Sequence, residues 1–176
     1  MNKTIKYYED VALSNSDVLN QLNGKVKIVL YPDLYKYHSI DEVLGPYGAC
    51  VLLFEAKPKY GHWVCLFKQT QDEVCFFNPY GGYPDDSLHY ISDEFKQKSH
   101  QNKPILSQLL LESPYNLSYN EFQFQKRAKD IKTCGRHCVV RLLGRNENLY
   151  EYKDTLDALR EQLDMDYDGV VTYLTI

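Results

Sequence analysis

A chain of 176 residues with a net charge of -4 and a pI near 5.7 is long enough to bury a core without a metal or disulfide framework. Its acidic balance removes any general attraction to phosphate backbones or anionic lipid. No charged-then-apolar leader follows Met1 and no apolar run approaches the roughly 20 residues that span a bilayer, so an unsecreted chain without membrane partners, folding as one domain over residues 1–176, is expected.

SNSDVLNQL, from Ser14 to Leu22, has a capping residue before helical apolar spacing and stops at Gly24, which predicts a short helix. VKIVLY, from Val26 to Tyr31, reads as a strand closed by Pro32, and SIDEVLG, from Ser39 to Gly45, as one or two helical turns capped by Ser39. Three β-rich runs follow, Ala49–Ala56, His62–Gln69 and Glu73–Tyr80, joined by segments too short for a parallel crossover. They predict an antiparallel meander at the centre of the fold. Helical spacing returns from Asp86 to Leu111 with a break near Pro104, and FQFQ, from Phe122 to Gln125, is a candidate strand.

TCGRHCVVRLLG places Cys134, Cys138 and Leu142 on one helix face, with Thr133 as its cap and Gly144 past its end. Glu147–Leu163 predicts a second helix, and GVVTYLTI, from Gly169 to Ile176, a strand or buried extended tail. Helices before, between and after a meander define an α+β fold with a central antiparallel or mixed sheet flanked by helices. Of the five cysteines, Cys50, Cys65 and Cys75 sit inside strand-like runs as small hydrophobes; the odd count suggests free thiols in a reducing compartment. Sixteen tyrosines and seven phenylalanines are more simply a tyrosine-rich core and surface than an aromatic groove.

Chemistry enters at Cys134. A cysteine in the first turn of a helix meets unpaired N–H groups and the positive end of the helix dipole, which favour its thiolate, and the same N–H groups can donate to an oxyanion. The thiol still needs a base. Among the five histidines, His62 opens a β-rich run and is the best placed to be rigid; Asn78, ending the next strand, would orient its ring through a hydrogen bond. The Pro-Tyr-Gly-Gly turn then stops the strand at the level of His62, and Gly81 and Gly82 either shape that turn or let a substrate backbone pass. Cys134, His137 and Cys138 lack a second Cys/His pair, so no metal is expected. His137, off the Cys134 face, is read as lying at the surface or behind the site, and Cys138 as packing.

GHWVCLF, FNPYGG, an upstream glutamine and Cys-Gly at a helix start resemble the papain-like cysteine proteases of the adenovirus-proteinase and SUMO-protease superfamily, whose order His62, Asn78, Gln125, Cys134 this chain follows. With LSNSDVLNQL and VKIVLYPDL, the sequence is most similar to the viral maturation proteases of virophages and Polinton elements. The resemblance implies a papain-like fold, Cys134 as nucleophile, His62 as base, Asn78 as its orienting partner and Gln125 as oxyanion donor. Gln123 competes with Gln125, since both share a face of a strand. Trp63 would wall the site, with Gly135 also contacting substrate. The family often has an acid where Asn78 stands. The resemblance further implies a cysteine endopeptidase, without cofactor, that cleaves virion precursors such as capsid protein after Gly-Gly or Gly-Ala sites, a monomer located in the host-cell cytoplasm and the virion. A peptide or DNA activator would have to use a local patch such as Lys126, Arg127, Lys129 and Lys132, which reads more simply as a solvated loop. The alternatives are a protease that removes ubiquitin-like modifiers and a silent scaffold of the same fold.

Overall fold

The computed structural model describes residues 2–176. Two short helices come first: α1 (Lys3–Glu9), whose first turn is capped by the Asn2 side chain, and α2 (Asn15–Gln21), started by a reciprocal capping box between Ser14 and Asp17. Strand β1 (Lys27–Leu30) runs into a 3-10 turn at Tyr31–Lys36, where Pro32 ends it, and α3 (Ile40–Leu44) begins at Ser39 as its spacing predicts. β2 (Ala49–Lys57), β3 (Tyr60–Lys68) and β4 (Glu73–Phe77) form the antiparallel meander. A 3-10 turn (Asp86–Tyr90), α4 (Asp93–Lys98) and α5 (Ile105–Leu111) fill the helical stretch that breaks near Pro104. β5 (Asn116–Tyr119), α6 (Cys134–Leu143), α7 (Leu149–Leu163) and α8 (Tyr167–Leu174) complete the chain.

The sheet order is β1-β2-β3-β4-β5, with the inner pairings antiparallel and both outer pairings parallel. The fold is therefore α+β, a five-stranded mixed sheet flanked by helices. Alternation along the strands divides its residues between two cores. Val51, Leu53, Trp63, Cys65, Phe67, Cys75 and Phe77 face one core with α2, α6, α7 and α8. Cys50, Leu52, Phe54, Val64, Leu66, Val74 and Phe76 face the other with α3, α5 and the Tyr31–Lys36 turn. Each fully buried side chain of this size contributes about 1.5–3 kcal/mol, so the central strands anchor everything mounted on them. All five cysteines are buried free thiols.

Four expectations are corrected. FQFQ is not a strand: the N–H groups of Phe124 and Gln125 both donate to the Pro79 carbonyl at 2.9 Å, so the segment folds back over the Pro79 turn instead of joining the sheet. The fifth strand is Asn116–Tyr119. The C-terminal run is helix α8, because Asp166 accepts from the Gly169 N–H at 2.8 Å and so caps a helix that buries Val170 and Val171. Thr133 stands at the N-cap of α6 but makes no side-chain cap; its hydroxyl donates to Asp168 at 2.5 Å. His137 is not at the surface. It is fully buried with Nε2 2.9 Å from the same carboxylate.

Candidate active site

His62 owes its place to the glycine before it. The β2–β3 pairing slips between Glu55 and Lys57, and a Cβ at Gly61 would stand 1.8 Å from the Phe54 carbonyl oxygen, so only glycine lets the strands approach there. The first residue past this pinch is His62. Continuing the β3–β4 register beyond Cys65–Phe77 brings Tyr80 beside His62, and the two rings stack at 4.4 Å and 14°.

Asn78 lies just after β4 and is locked by its neighbours. Its main-chain N–H donates to Asn120 Oδ1 at 3.0 Å, and its carbonyl accepts from Asn120 Nδ2 at 2.7 Å. Its side-chain Nδ2 reaches Ser87 Oγ at 3.2 Å, while Oδ1 accepts the Tyr80 N–H at 3.0 Å and lies 2.8 Å from His62 Nε2. A main-chain N–H can only donate, so the atom it meets is the amide oxygen. His62 Nε2 must then carry the proton, and Nδ1 keeps a free lone pair. Burial, partly opposed by the Asn78 bond, lowers the His62 pKa from 6.5 to about 4; the ring is an uncharged base at neutral pH.

Gly81 and Gly82 adopt positive φ of 79° and 111°. A Cβ at Gly81 would fall 2.6 Å from the Glu121 carbonyl oxygen, so this glycine serves the close packing of the turn against residues 121–122 and not a substrate's passage.

Cys134 begins α6 at 8% exposure. Burial raises its thiol pKa, and the main-chain N–H groups of Trp63, Gly135 and Cys134 itself pull the other way. No side chain caps this helix, which leaves its first N–H groups free for the sulfur or for an oxyanion. No hydrogen bond joins the thiol and the His62 ring among the described residues, and the opposed shifts make thiol and imidazole an uncharged resting pair.

Both residues line one cleft of about 740 Å³, together with Trp63, Tyr80 and Gln125. Gln125 is buried, its Nε2 making two long bonds of 3.4 Å to Tyr80 Oη and the Ile131 carbonyl, while Oε1 has no partner. Gln123 is exposed and donates to the Gln125 carbonyl, so of the two glutamines Gln125 is the one in the cleft. A Cβ at Gly135 would stand 3.3 Å from both Leu13 Cβ and Trp63 Cδ1, which makes this wall tight. No group of three or more His, Cys, Asp or Glu is placed to hold a metal among the described residues.

Several residues of the site were not anticipated. Tyr80 and Arg127 extend a stack behind His62, with the guanidinium 4.2 Å from the Tyr80 ring centroid and 4.6 Å from that of Tyr90. Asp168 joins Thr133, His137 and the Lys126 main-chain N–H at 3.0 Å, tying the start of the Cys134 helix to the segment that follows Gln125. An acid one residue before an apolar run was its one visible signal.

A scan against protein-family models finds no match. Among curated proteins, the chain is 57% identical over 174 residues to a Sputnik virophage protein described as uncharacterized protein V9, with 99% of each covered. The chain belongs to the family of that virophage protein. Among solved structures, the central domain of the uncharacterized Lpg1148 protein from Legionella pneumophila matches 93% of each chain at 15% identity and a TM-score of 0.41, a likeness too slight to carry the fold. No helix among the described residues is long and apolar enough to cross a membrane.

Proposed function

We propose that this virophage-family protein is a cysteine endopeptidase of papain-like type that processes virion precursor proteins, capsid protein among them, in the infected host's cytoplasm and in the particle. The observation that carries the reading is the Asn78–His62 bond, which fixes the Nε2–H tautomer and frees Nδ1 in the cleft that also holds Cys134. His62 Nδ1 takes the thiol proton as the sulfur attacks a peptide carbonyl. The Cys134 main-chain N–H and the Gln125 amide, released from its long bonds, hold the oxyanion. The imidazolium returns its proton to the leaving amine, and water activated by His62 hydrolyses the acyl-enzyme. Because the resting pair is uncharged, substrate binding and proton transfer are coupled steps.

The tight wall formed by Leu13, Trp63 and Gly135 suits small residues at the scissile bond, hence Gly-Gly or Gly-Ala sites. A Gly-Gly peptide ending in a vinyl ester electrophile tests the reading. Mass spectrometry should find it on Cys134 and on none of the other four thiols, with labelling slowed about 100-fold or more in His62→Ala. Labelling that ignores His62, or that never reaches Cys134 in a folded protein, would leave a catalytically silent module in its place.

A further inference from the structure

The cleft has a charge opposite to that of the protein. The chain carries 24 acidic residues against 20 basic ones, yet the lining of the cleft includes three lysines, Lys59, Lys129 and Lys132, and no Asp or Glu. They come from two different walls: Lys59 from the β2–β3 turn, and Lys129 and Lys132 from the loop before α6.

Asp130, between Lys129 and Ile131, is exposed and does not line the cleft; three other nearby acids are occupied elsewhere. Asp17 is folded into the α2 capping box with Ser14, Asp10 pairs with Lys132 at 2.9 Å, and Glu55 accepts the Lys59 main-chain N–H at 3.1 Å. Lys59 and Lys129 have no carboxylate partner among the described residues, and both are exposed. Two unpaired cations on separate walls of a groove focus potential into it, where a bound chain with carboxylates would complete them.

We propose that the cleft selects polypeptides whose small-residue cleavage site is flanked by Asp or Glu, with Lys59 and Lys129 as specificity-determining residues; this rests on the peptidase reading above. A peptide fits the observations better than nucleic acid. The cations line a concave slot leading to Cys134 instead of a broad face, two of the other basic side chains of the loop are committed, Lys126 to Asp166 and Arg127 to the Tyr80 and Tyr90 rings, and the protein's net charge repels a polyanion at longer range.

The test uses fluorescent peptides with one Gly-Gly core and acidic, neutral-amide or basic flanks. Binding is read by anisotropy on Cys134→Ser, and cleavage by mass spectrometry on the unmodified protein, each repeated with Lys59→Glu/Lys129→Glu. Acidic flanks should bind about tenfold tighter than neutral ones, the advantage should shrink as salt rises, and the double variant should reverse the order. Equal binding of all three flanks overturns the proposal. So does a single-stranded DNA oligomer that displaces the acidic peptide with higher affinity. Cleavage indifferent to flank defeats the specificity while leaving the peptidase standing. Acid-selective binding without cleavage, joined to an unlabelled Cys134, keeps the acidic-peptide groove and removes the peptidase.

Discussion

At His62 the choice between two ring nitrogens is made by the groups that hold the Asn78 amide. The Tyr80 N–H and Ser87 hydroxyl orient the Asn78 amide, and that amide assigns the imidazole proton. Asn78 is neutral, so it positions the ring without supporting its charge. A carboxylate at the same place would do both. Asn78→Asp should therefore raise the His62 pKa and move the acidic limb of kcat/KM upward, from near pH 4 toward or above the ordinary value of 6.5. A pH–rate profile on the Gly-Gly peptide checks this, and an unmoved limb would separate His62 from the titration. The His62–Asn78 pairing was legible in the sequence because both flank the same hairpin of strands. Ser87, Asn120 and Tyr80 were not, since nothing in their local pattern marks them as partners of Asn78.

At the scale of elements, the site is a joint between the β3–β4 hairpin and the start of α6, and Asp168 on α8 fastens the second half. One buried carboxylate holds the Thr133 hydroxyl, the His137 ring and the Lys126 main-chain N–H. Removing it strands the Thr133 hydroxyl and the His137 ring in the core and frees the Lys126 N–H. Asp168→Ala should lower stability by about 3 kcal/mol in urea titration, and peptide cleavage should fall further than the folded fraction accounts for. Cleavage that tracks the folded fraction alone would make Asp168 purely structural. Strands β1 to β4, α2, α3 and α7 follow from apolar periodicity with capping or breaking residues, and α6 from its apolar face alone; α1 and β5, both short, were not read from the sequence. The segments misread are those where long-range contacts overrule local preference. The β-branched Val170 and Val171 favour a strand, yet the Asp166 cap and two-sided burial make them helical; Phe122–Gln125 alternates as a strand would, yet Pro79 captures its N–H groups.

For the molecule as a whole, the uncharged His62 links stability to pH. In the unfolded chain this imidazole binds a proton below 6.5, whereas the folded protein resists it until about 4. Between those values the unfolded state holds more protons, so stability falls as pH falls through the window and loses nothing further below it. Glu9 and Asp85, whose carboxyls burial pushes upward, act in the opposite sense. The His62 share is isolated by comparison with His62→Gln: from pH 7 to pH 5 the unmodified protein should lose about 1–2 kcal/mol more than the variant in urea titrations. Equal losses would mean that the ring is charged in the folded protein.

The buried guanidinium of Arg136, two residues after Cys134, donates to the carbonyl and hydroxyl of Thr175 at 3.1 and 2.8 Å and to the Val11 carbonyl at 3.3 Å. It thus knots the cysteine's helix to both ends of the described chain. During translation the hairpin with His62 and the helix with Cys134 emerge long before residue 175 does. Until that residue clears the ribosome, the arginine lacks its principal partner and the helix its anchor. The residues that line the candidate cleft are therefore made well before the contacts that hold the Cys134 helix in register with them can all form.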